Sequence, residues 1–290
     1  MRKTPENEAA VLAPAKVNLY LHVVGQRPDG YHQLDSLFVF ADCGDVVRVF
    51  PAETLTLEIT GPFSAGLPVS EDNTVLKAAR ALAQALNVPA AAGIVLEKNL
   101  PVASGIGGGS SDAAAVLKAL SKLWGRSLPE PELSALALSV GADVPACLKG
   151  KAVCVSGIGE ILTEAPPLPE LTAVLVNPNR PVSTPAVFRK RSGEFSAPAP
   201  IDEAPADVRG FITELKRRRN DLAAAAEALE PSVSEVLAAL RACPGCALAR
   251  MSGSGGTCFG IFEKESDRGT CVERLRRKYP FWWIQSAKLL

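Results

Sequence analysis

The segment LPVASGIGGGSSDAA, residues 100–114, has glycine at four of the five positions from 105 to 109. An apolar run at 93–97 precedes it and helically spaced apolar residues follow at 113–123, so the glycines lie between a predicted strand and a predicted helix. Glycine lets a backbone approach its ligand closely, and the unpaired amides at a helix start bind anions. The segment therefore predicts a loop that holds polyphosphate. A tight turn with a serine N-cap is the structural alternative, but one glycine would suffice for it.

This glycine-rich loop differs from three common nucleotide-binding patterns. No lysine follows its glycines, as a Walker A motif requires, and the G-x-G-x-x-G spacing of dinucleotide-binding folds is absent. The H-R-D and D-F-G signatures of protein kinases are absent as well. The sequence therefore disfavours P-loop NTPases, protein kinases and NAD-dependent oxidoreductases.

Composition excludes further classes of protein. Lys plus Arg and Asp plus Glu each total 31 in 290 residues, and this zero net charge argues against nucleic acid or an anionic membrane as a partner. Apolar runs are too short for a membrane span, and the first eight residues are too polar for a signal peptide. Seven cysteines, an odd number, favour reduced thiols over a disulfide framework. We therefore expect a cytoplasmic protein.

The pattern of apolar residues predicts two α+β domains. Alternation at 11–24 predicts a strand with one apolar face and one polar face, the latter carrying Lys16, Asn18, Tyr20 and His22. Further strands are predicted at 34–40, 45–50, 55–60, 93–97, 152–155, 172–177, 258–262 and 282–287, and helices at 75–86, 113–123, 130–140, 221–229, 233–240 and 271–278, with a short helix capped by Thr184. The proline-rich segment APPLP at 165–169 predicts a boundary between domains 1–165 and 166–290.

Three separate segments carry a family resemblance. AKVNL at 15–19 with GYH at 30–32, the loop at 101–114, and MSGSGGT at 251–257 together resemble the three motifs of the GHMP small-molecule kinases. RPDGYH at 27–32, GADVP at 141–145 and RMSGSG at 250–255 are similar, within this family, to the branch whose acceptor is a cytidyl diphosphate alcohol. Two positions depart from the family pattern, since Ala103 replaces a usual glycine and Ile106 a usual leucine.

The resemblance implies both a fold and a reaction. The fold is α+β, with an N-terminal ATP-binding α/β domain, a C-terminal ferredoxin-like domain and the active site between them. The reaction uses ATP and Mg²⁺ to phosphorylate the tertiary 2-hydroxyl of 4-diphosphocytidyl-2-C-methyl-D-erythritol, a step of the non-mevalonate route to isoprenoids. We expect a monomer or a homodimer.

Two residues match the family's catalytic pair. Asp143, in GADVP, is implied to be the general base, although its spacing alone fits an N-cap of the following segment equally well. Lys16 is implied to hold the acceptor hydroxyl and to balance developing negative charge. An exposed lysine on a half-buried strand is its commoner interpretation without the motif.

The resemblance also implies an ATP site and an acceptor site. The residues implied to bind ATP are Asn73, Lys98, Pro101, Val102, Ala103, Ser104, Gly105, Ile106, Gly107, Gly108, Gly109, Ser110 and Ser111. Those implied to bind the acceptor are Asn18, Tyr31, His32, Thr184, Phe188, Gly253, Ser254 and Gly255. Tyr31 and Phe188 would stack on cytosine while His32 reads its edge. Helix capping by Asn73 and core packing of Phe188 are the structural alternatives.

Other functions remain as alternatives. A homoserine or mevalonate kinase would share the phosphate loop but would have no base to stack, and a non-catalytic nucleotide-binding regulator would not need both Lys16 and Asp143. The CPGC segment at 243–246 has no second cysteine pair at zinc spacing, so it predicts a turn at the end of a helix. KRRR at 216–219 reads as a solvated helix end.

Overall fold

The computed structural model describes residues 9–70 and 72–290. Within them the chain groups into two compact units. The first comprises residues 9–15, 43–100 and 107–150, and the second comprises 16–42, 101–106 and 151–290. Two long strands, β1 (Ala9–Gln26) and β2 (His32–Phe50), contribute residues to both units. The boundary at 165/166 stays a prediction.

A small sheet and four helices build the first unit. Besides the end of β2, its elements are β3 (Thr56–Thr60), α1 (Thr74–Leu86), β4 (Gly93–Glu97), α2 (Gly108–Leu123), α3 (Glu130–Val140) and α4 (Val144–Lys149). β4 pairs in parallel with β3 and antiparallel with residues 46–50 of β2. The helix α2 packs on α1 and α4. The predicted strand at 93–97 and helix at 130–140 are confirmed, and β4 leads directly into the glycine-rich loop.

The second unit contains a four-stranded antiparallel sheet. Its elements are β5 (Val153–Gly157), β6 (Ile161–Glu164), β7 (Leu171–Asn177), α5 (Thr184–Lys190), α6 (Val208–Lys216), α7 (Ala223–Leu229), α8 (Ser232–Arg241), β8 (Cys246–Met251), β9 (Cys258–Phe262), α9 (Glu265–Lys278) and β10 (Trp283–Leu289). The order β10-β7-β9-β8, with helices after β7 and after β9, is the ferredoxin-like β-α-β-β-α-β arrangement. The predicted α+β fold of the C-terminal part is confirmed.

β1 has the predicted apolar and polar faces, and both of them are covered between residues 15 and 23. Tyr20 is completely buried, and Lys16, Asn18 and His22 are each at most 4% exposed. Strand alternation identifies which residues share a face, but it does not show whether other elements cover that face.

β2 is one continuous strand, whereas the sequence predicted two separate strands at 34–40 and 45–50. Gly44 explains the difference. A Cβ atom at this position would lie 2.1 Å from the carbonyl oxygen of Ala13, so glycine lets β2 pass close to β1 without a turn.

Several helix and strand bounds also differ from prediction. Ser183, not Thr184, is the N-cap of α5, since its hydroxyl accepts from the amide of Ala186. α9 begins six residues before the predicted start at Cys271, and the sequence did not predict α4, α6 and β8. No helix among the described residues has both the length and the apolar character to cross a membrane.

Candidate active site

The glycine-rich loop joins a strand to a helix, as predicted. α2 begins at Gly108, and its N-cap Gly107 has a left-handed φ of +65°. The first turn of α2 contains no acidic side chain among the described residues. The first amides of a helix have no acceptor within it, and this is the arrangement that binds phosphate at a helix N-terminus.

The first half of the loop is held through its carbonyl groups within the second unit. The amide of Val182 donates to the carbonyl oxygen of Ala103 at 3.2 Å, and the amide of Thr257 donates to that of Ser104 at 2.9 Å. The hydroxyl of Ser252 donates to the carbonyl oxygen of Gly105 at 3.0 Å, and the amide of Lys16 donates to that of Ile106 at 2.9 Å. The third predicted motif and the strand that carries Lys16 thus hold the phosphate loop directly.

Two glycines are required where the loop meets the third motif. A Cβ atom on Gly105 would lie 2.5 Å from the carbonyl oxygen of Ser252, and one on Gly253 would lie 2.7 Å from the carbonyl oxygen of Gly105. Both residues also have positive φ, at +73° and +55°. Any larger residue would push the two segments apart.

Ala103, one of the two departures from the family pattern that the sequence resembles, has a left-handed backbone conformation. Its φ is +50°, in the left-handed region. This conformation costs an L-residue about 1–2 kcal/mol. The departure therefore introduces local strain without changing the carbonyl hydrogen bond that Val182 makes with this residue.

A buried ionic triad flanks the loop, and sequence reasoning found only one of its members. The Lys98 ammonium contacts Asp45 and lies 2.6 Å from Oδ2 of Asp112. All three side chains are at most 6% exposed. Oδ1 of Asp45 also accepts the amides of Asn99 and Leu100, at 2.5 and 2.8 Å. The triad thus fixes the residues on both sides of the loop.

The charges of this triad are unequal, with two carboxylates and one ammonium. Burial raises the pKa of Asp112 to about 7; Lys98 opposes this shift and Asp45 adds to it. Burial lowers the pKa of Lys98, but the two carboxylates outweigh it and the net shift is upward. Oδ1 of Asp112 has no hydrogen-bond partner in the described part of the chain. Lys98 therefore stays charged and is engaged by protein carboxylates.

Lys16 is a buried cation in the second unit. It is 4% exposed, its ammonium donates to Oδ1 of Asn18 at 2.9 Å, and it lies 4.2 Å from the ring centroid of Phe38. The backbone amide of Asn18 donates in turn to the hydroxyl of Ser252 at 3.0 Å. Because its side chain is buried, the interpretation of Lys16 as an exposed surface lysine was wrong. Buried lysines are rare unless they have a partner or a function.

Asp143 belongs to the first unit, directly before α4. It occupies the N-cap position with helical dihedral angles, and within the described structure its side chain makes no capping hydrogen bond to that helix. The alternative interpretation as a helix cap is therefore not realised, although Asp143 has other interactions.

Two residues implied to bind ATP have structural partners of their own. Asn73 caps α1, since its Oδ1 accepts the amide of Val75 at 2.9 Å. The hydroxyl of Ser111 donates to the carbonyl oxygen of Pro14 at 2.7 Å. Ser110, one residue earlier in α2, is only half-buried. Direct nucleotide contacts of these residues stay predictions.

The structure brings together several residues implied to bind the acceptor. The rings of His32 and Phe188 stack, with centroids 5.1 Å apart and an interplanar angle of 28°. Tyr31 is 61% exposed. Burial, with Arg191 adding to it, lowers the pKa of His32, so its imidazole is neutral at pH 7 and offers one donor and one acceptor.

The third motif is held by two polar residues, Asn220, which the sequence did not single out, and Arg250, which was predicted only as part of the motif RMSGSG. Nδ2 of Asn220 donates to the carbonyl oxygens of Met251 and Gly253, both at 2.8 Å. Buried Arg250 donates to the carbonyl oxygen of Leu19 at 2.6 Å, which joins β8 to β1. Their signal in the sequence is weak because each acts through backbone groups distant in the chain.

The hydroxyls of Thr184 and Ser254, both implied to bind the acceptor, lie 2.6 Å apart.

No group of three or more metal-ligating side chains occurs among residues 9–70 and 72–290. The CPGC segment forms a turn, in which the amide of Cys246 donates to the carbonyl oxygen of Cys243 at 3.2 Å. The predicted turn is confirmed.

Comparison with known proteins gives a consistent result. The family model for the GHMP kinases N terminal domain matches residues 73–151, and the model for the GHMP kinases C terminal domain matches residues 206–280. Two similar relatives are the 4-diphosphocytidyl-2-C-methyl-D-erythritol kinases of Paramagnetospirillum magneticum and Rhodospirillum rubrum. The first is 53% identical to this chain, and the match covers 97% of this chain and 98% of the relative. The second is 52% identical, and the match covers 96% of this chain and 91% of the relative.

Solved structures agree with these relatives. A crystal structure of 4-(cytidine 5'-diphospho)-2C-methyl-D-erythritol kinase is 35% identical, covers 97% of this chain and 99% of its own, and superposes with a TM-score of 0.79. Homoserine kinase from Cytophaga hutchinsonii is 17% identical, with 99% and 96% coverage and a TM-score of 0.74. The second likeness shows the fold alone.

Proposed function

Because the chain belongs to the GHMP kinases, and within them to the 4-diphosphocytidyl-2-C-methyl-D-erythritol kinase family, we propose that it phosphorylates the 2-hydroxyl of this alcohol. ATP is the phosphoryl donor, and the products are the 2-phosphate and ADP. The chain is an ATP-dependent small-molecule kinase with the two-domain GHMP fold. The observation that supports the proposal most directly is the position of Lys16. Its ammonium is buried, and its backbone amide donates to the carbonyl oxygen of Ile106 in the glycine-rich loop.

For the donor, we propose that the amides from Gly105 to Ser111 bind the phosphates of ATP at the start of α2. This proposal rests on the glycine-rich start of α2, whose first turn has no acidic side chain among the described residues, and on the anchoring of the loop through its carbonyl groups. Lys98 and Asn73 are proposed to contribute next to the loop. The ammonium of Lys98 acts on the loop through the triad, whether or not it also contacts the nucleotide.

For the reaction, we propose that Asp143 takes the proton of the 2-hydroxyl while Lys16 stabilises the negative charge that develops on that oxygen. Phosphoryl transfer needs a positioned acceptor and cations near the transferring oxygens more than it needs covalent chemistry. Asn18 would orient Lys16, because the two side chains are hydrogen-bonded at 2.9 Å.

A magnesium ion fits this loop when ATP supplies most of its ligands. Mg²⁺ at phosphate sites keeps several waters and takes few protein ligands, and the half-buried hydroxyl of Ser110 in the first turn of α2 is a suitable one. When bound, the ion would neutralise charge on the phosphate oxygens. We propose Mg²⁺ as the cofactor on this ground.

For the acceptor, we propose that cytosine binds against the His32–Phe188 stack, with Tyr31 beside it. A neutral imidazole can both donate to and accept from a base edge, and the stacked pair presents an aromatic surface. Thr184, Gly253, Ser254 and Gly255 would contact the remainder of the molecule. A homoserine or mevalonate kinase would have no use for this aromatic pair.

The cellular setting is also a proposal. Zero net charge and seven cysteines that are all free in the described structure support a cytoplasmic enzyme with no nucleic acid or membrane partner, acting as a monomer or a homodimer.

The experiment that tests this function is a coupled ADP-release assay with the cytidyl alcohol, CDP, homoserine and mevalonate compared side by side. We expect turnover only with the cytidyl alcohol. Asp143→Asn should lower its turnover about 10²-fold or more while the Kd for ATP is unchanged, since a positioned base contributes at least that much. Asp72→Asn, at an exposed position, is the control. Near-normal turnover of Asp143→Asn would refute the assigned base.

A further inference from the structure

A pair of cysteine thiols lies in direct contact in the second unit, and neither cysteine is assigned a role in the kinase reaction. Cys243 follows α8 and Cys271 lies within α9. The thiol of Cys271 donates to the sulfur of Cys243, with the two Sγ atoms 2.6 Å apart. Both residues are buried. The sequence, with its odd number of cysteines, did not predict a close pair.

The two thiols differ in acidity in the way that a reactive pair requires. The hydrogen bond from Cys271 lowers the pKa of Cys243, and the guanidinium of Arg274 adds to this effect. Arg274 is held in place, since its Nη1 donates to the carbonyl oxygen of Ala242 at 2.9 Å. The same hydrogen bond, together with burial, raises the pKa of Cys271. Cys243 is thus the more acidic of the two and the one that more readily forms a thiolate nucleophile, while Cys271 remains a thiol.

A third cysteine is close but is not suited to the same chemistry. Burial raises the pKa of Cys246 to about 11, so this residue stays protonated at neutral pH. Its thiol is directed to the carbonyl oxygen of Leu248 at 3.6 Å. The geometry therefore favours the long-range pair over the C-x-x-C pair within the turn.

We propose that Cys243 and Cys271 are a modification site, at which a hydroperoxide forms an intrachain disulfide. The Cys243 thiolate attacks one oxygen of hydrogen peroxide, which gives a sulfenic acid and releases hydroxide. The Cys271 sulfur then attacks the sulfenic sulfur, the S–OH bond breaks, and the hydroxyl leaves as water with the thiol proton. One peroxide is reduced for each pair of thiols oxidised.

Little movement is needed to make this bond. The turn before β8 already lies against α9, because a Cβ atom on Gly245 would be 2.3 Å from Oδ2 of Asp267. The disulfide would close a loop from 243 to 271 that contains β8, the third motif and β9. By restricting the unfolded chain, a loop of this length should raise the Tm by about 5 °C.

The test uses the full-length protein and does not depend on the kinase assignment. Hydrogen peroxide is added, remaining thiols are alkylated, and a tryptic digest is analysed by mass spectrometry without reduction. Residues 242–250 and 269–274 are tryptic peptides with Cys243 and Cys246 in the first and Cys271 in the second. We expect these two peptides to be linked, and fragmentation to place the link at Cys243.

Each other result counts against the proposal. A loss of two hydrogens within peptide 242–250 alone would show the C-x-x-C pair instead, and two fully alkylated peptides would show that no disulfide forms. In folded variants, Cys243→Ser and Cys271→Ser should each abolish the peroxide-dependent rise in Tm, while Cys154→Ser, at a half-buried cysteine elsewhere, should keep it. Dithiothreitol should reverse the rise. A rise that persists in Cys271→Ser would overturn the assigned partner.

Discussion

Lys98→Met removes the one cation of the triad while it keeps the unbranched stem of the side chain. In the native protein the ammonium contacts Asp45 and lies 2.6 Å from Asp112, and all three side chains are at most 6% exposed. The substitution therefore leaves two carboxylates buried together. Asp45 retains the amides of Asn99 and Leu100, but Asp112 loses the hydrogen bond and the positive charge of Lys98.

Removing one member of a buried ion pair costs about 3–5 kcal/mol, because the remaining charge is left without compensation. We expect a loss of this size in the free energy of unfolding at pH 8, where Asp112 without Lys98 must either stay ionised beside Asp45 or take up a proton from a basic solution. The loss should be smaller at pH 5.5. The pKa of Asp112 is already raised to about 7 with Lys98 present, and a protonated carboxyl group has no charge to compensate.

Urea unfolding at the two pH values measures both effects, with the m-value as a check that the same surface unfolds. Lys151→Met is the matched control, since Lys151 pairs with Glu164 on the surface and such pairs contribute less than about 1 kcal/mol. The KM for ATP should rise in Lys98→Met, because the residues flanking the phosphate loop lose their anchor. Equal urea midpoints for Lys98→Met and the wild-type protein at pH 8 would refute the reasoning.

Three further substitutions test other parts of the site. Ala103→Gly should raise the free energy of unfolding by up to about 1 kcal/mol, since relief of left-handed strain exceeds the added flexibility of the unfolded chain; lower stability in urea would contradict this. Phe188→Ala should weaken CDP binding about 5- to 150-fold in calorimetry and leave ATP binding unchanged, because one stacked base is worth about 1–3 kcal/mol; equal losses for both ligands would remove the stacking role. The stability of the wild-type protein should fall as pH rises from about 4 to 7, because native Asp112 binds its proton more tightly than the unfolded chain does, and Asp112→Asn should lose this contribution in urea titrations.

The elements around the phosphate loop could be predicted because their signals are local. The apolar run at 93–97, the glycines and the helical spacing after residue 113 follow one another within about 30 residues, and the structure forms β4, the loop and α2 in that order. The resemblance of the three motifs also predicted the ferredoxin-like arrangement of the second unit. Periodicity alone missed β8 and α6, which are only six and nine residues long and therefore give few repeats of any apolar pattern.

The partners of the site residues could not be predicted in the same way. Lys98 is 53 positions away from Asp45, and β1 meets the third motif across 234 positions, from Asn18 to Ser252. No periodic pattern reports such pairings. The stack of His32 on Phe188 is a similar case, because each aromatic residue alone is compatible with ordinary core packing.

Strand β1 shows how the burial of a polar face adds information to the pattern of the sequence. A strand with one polar face is ordinary when water covers that face, because each polar side chain is then solvated. Here Lys16 and Asn18 on that face are nearly inaccessible, and a buried ammonium is costly unless groups nearby compensate for it. Asn18 supplies an oxygen and Phe38 a ring face, and Lys16 has further interactions besides these two. Because a lysine is rarely buried unless it has a partner or a function, the burial of Lys16 distinguishes it from an ordinary surface lysine even without the motif.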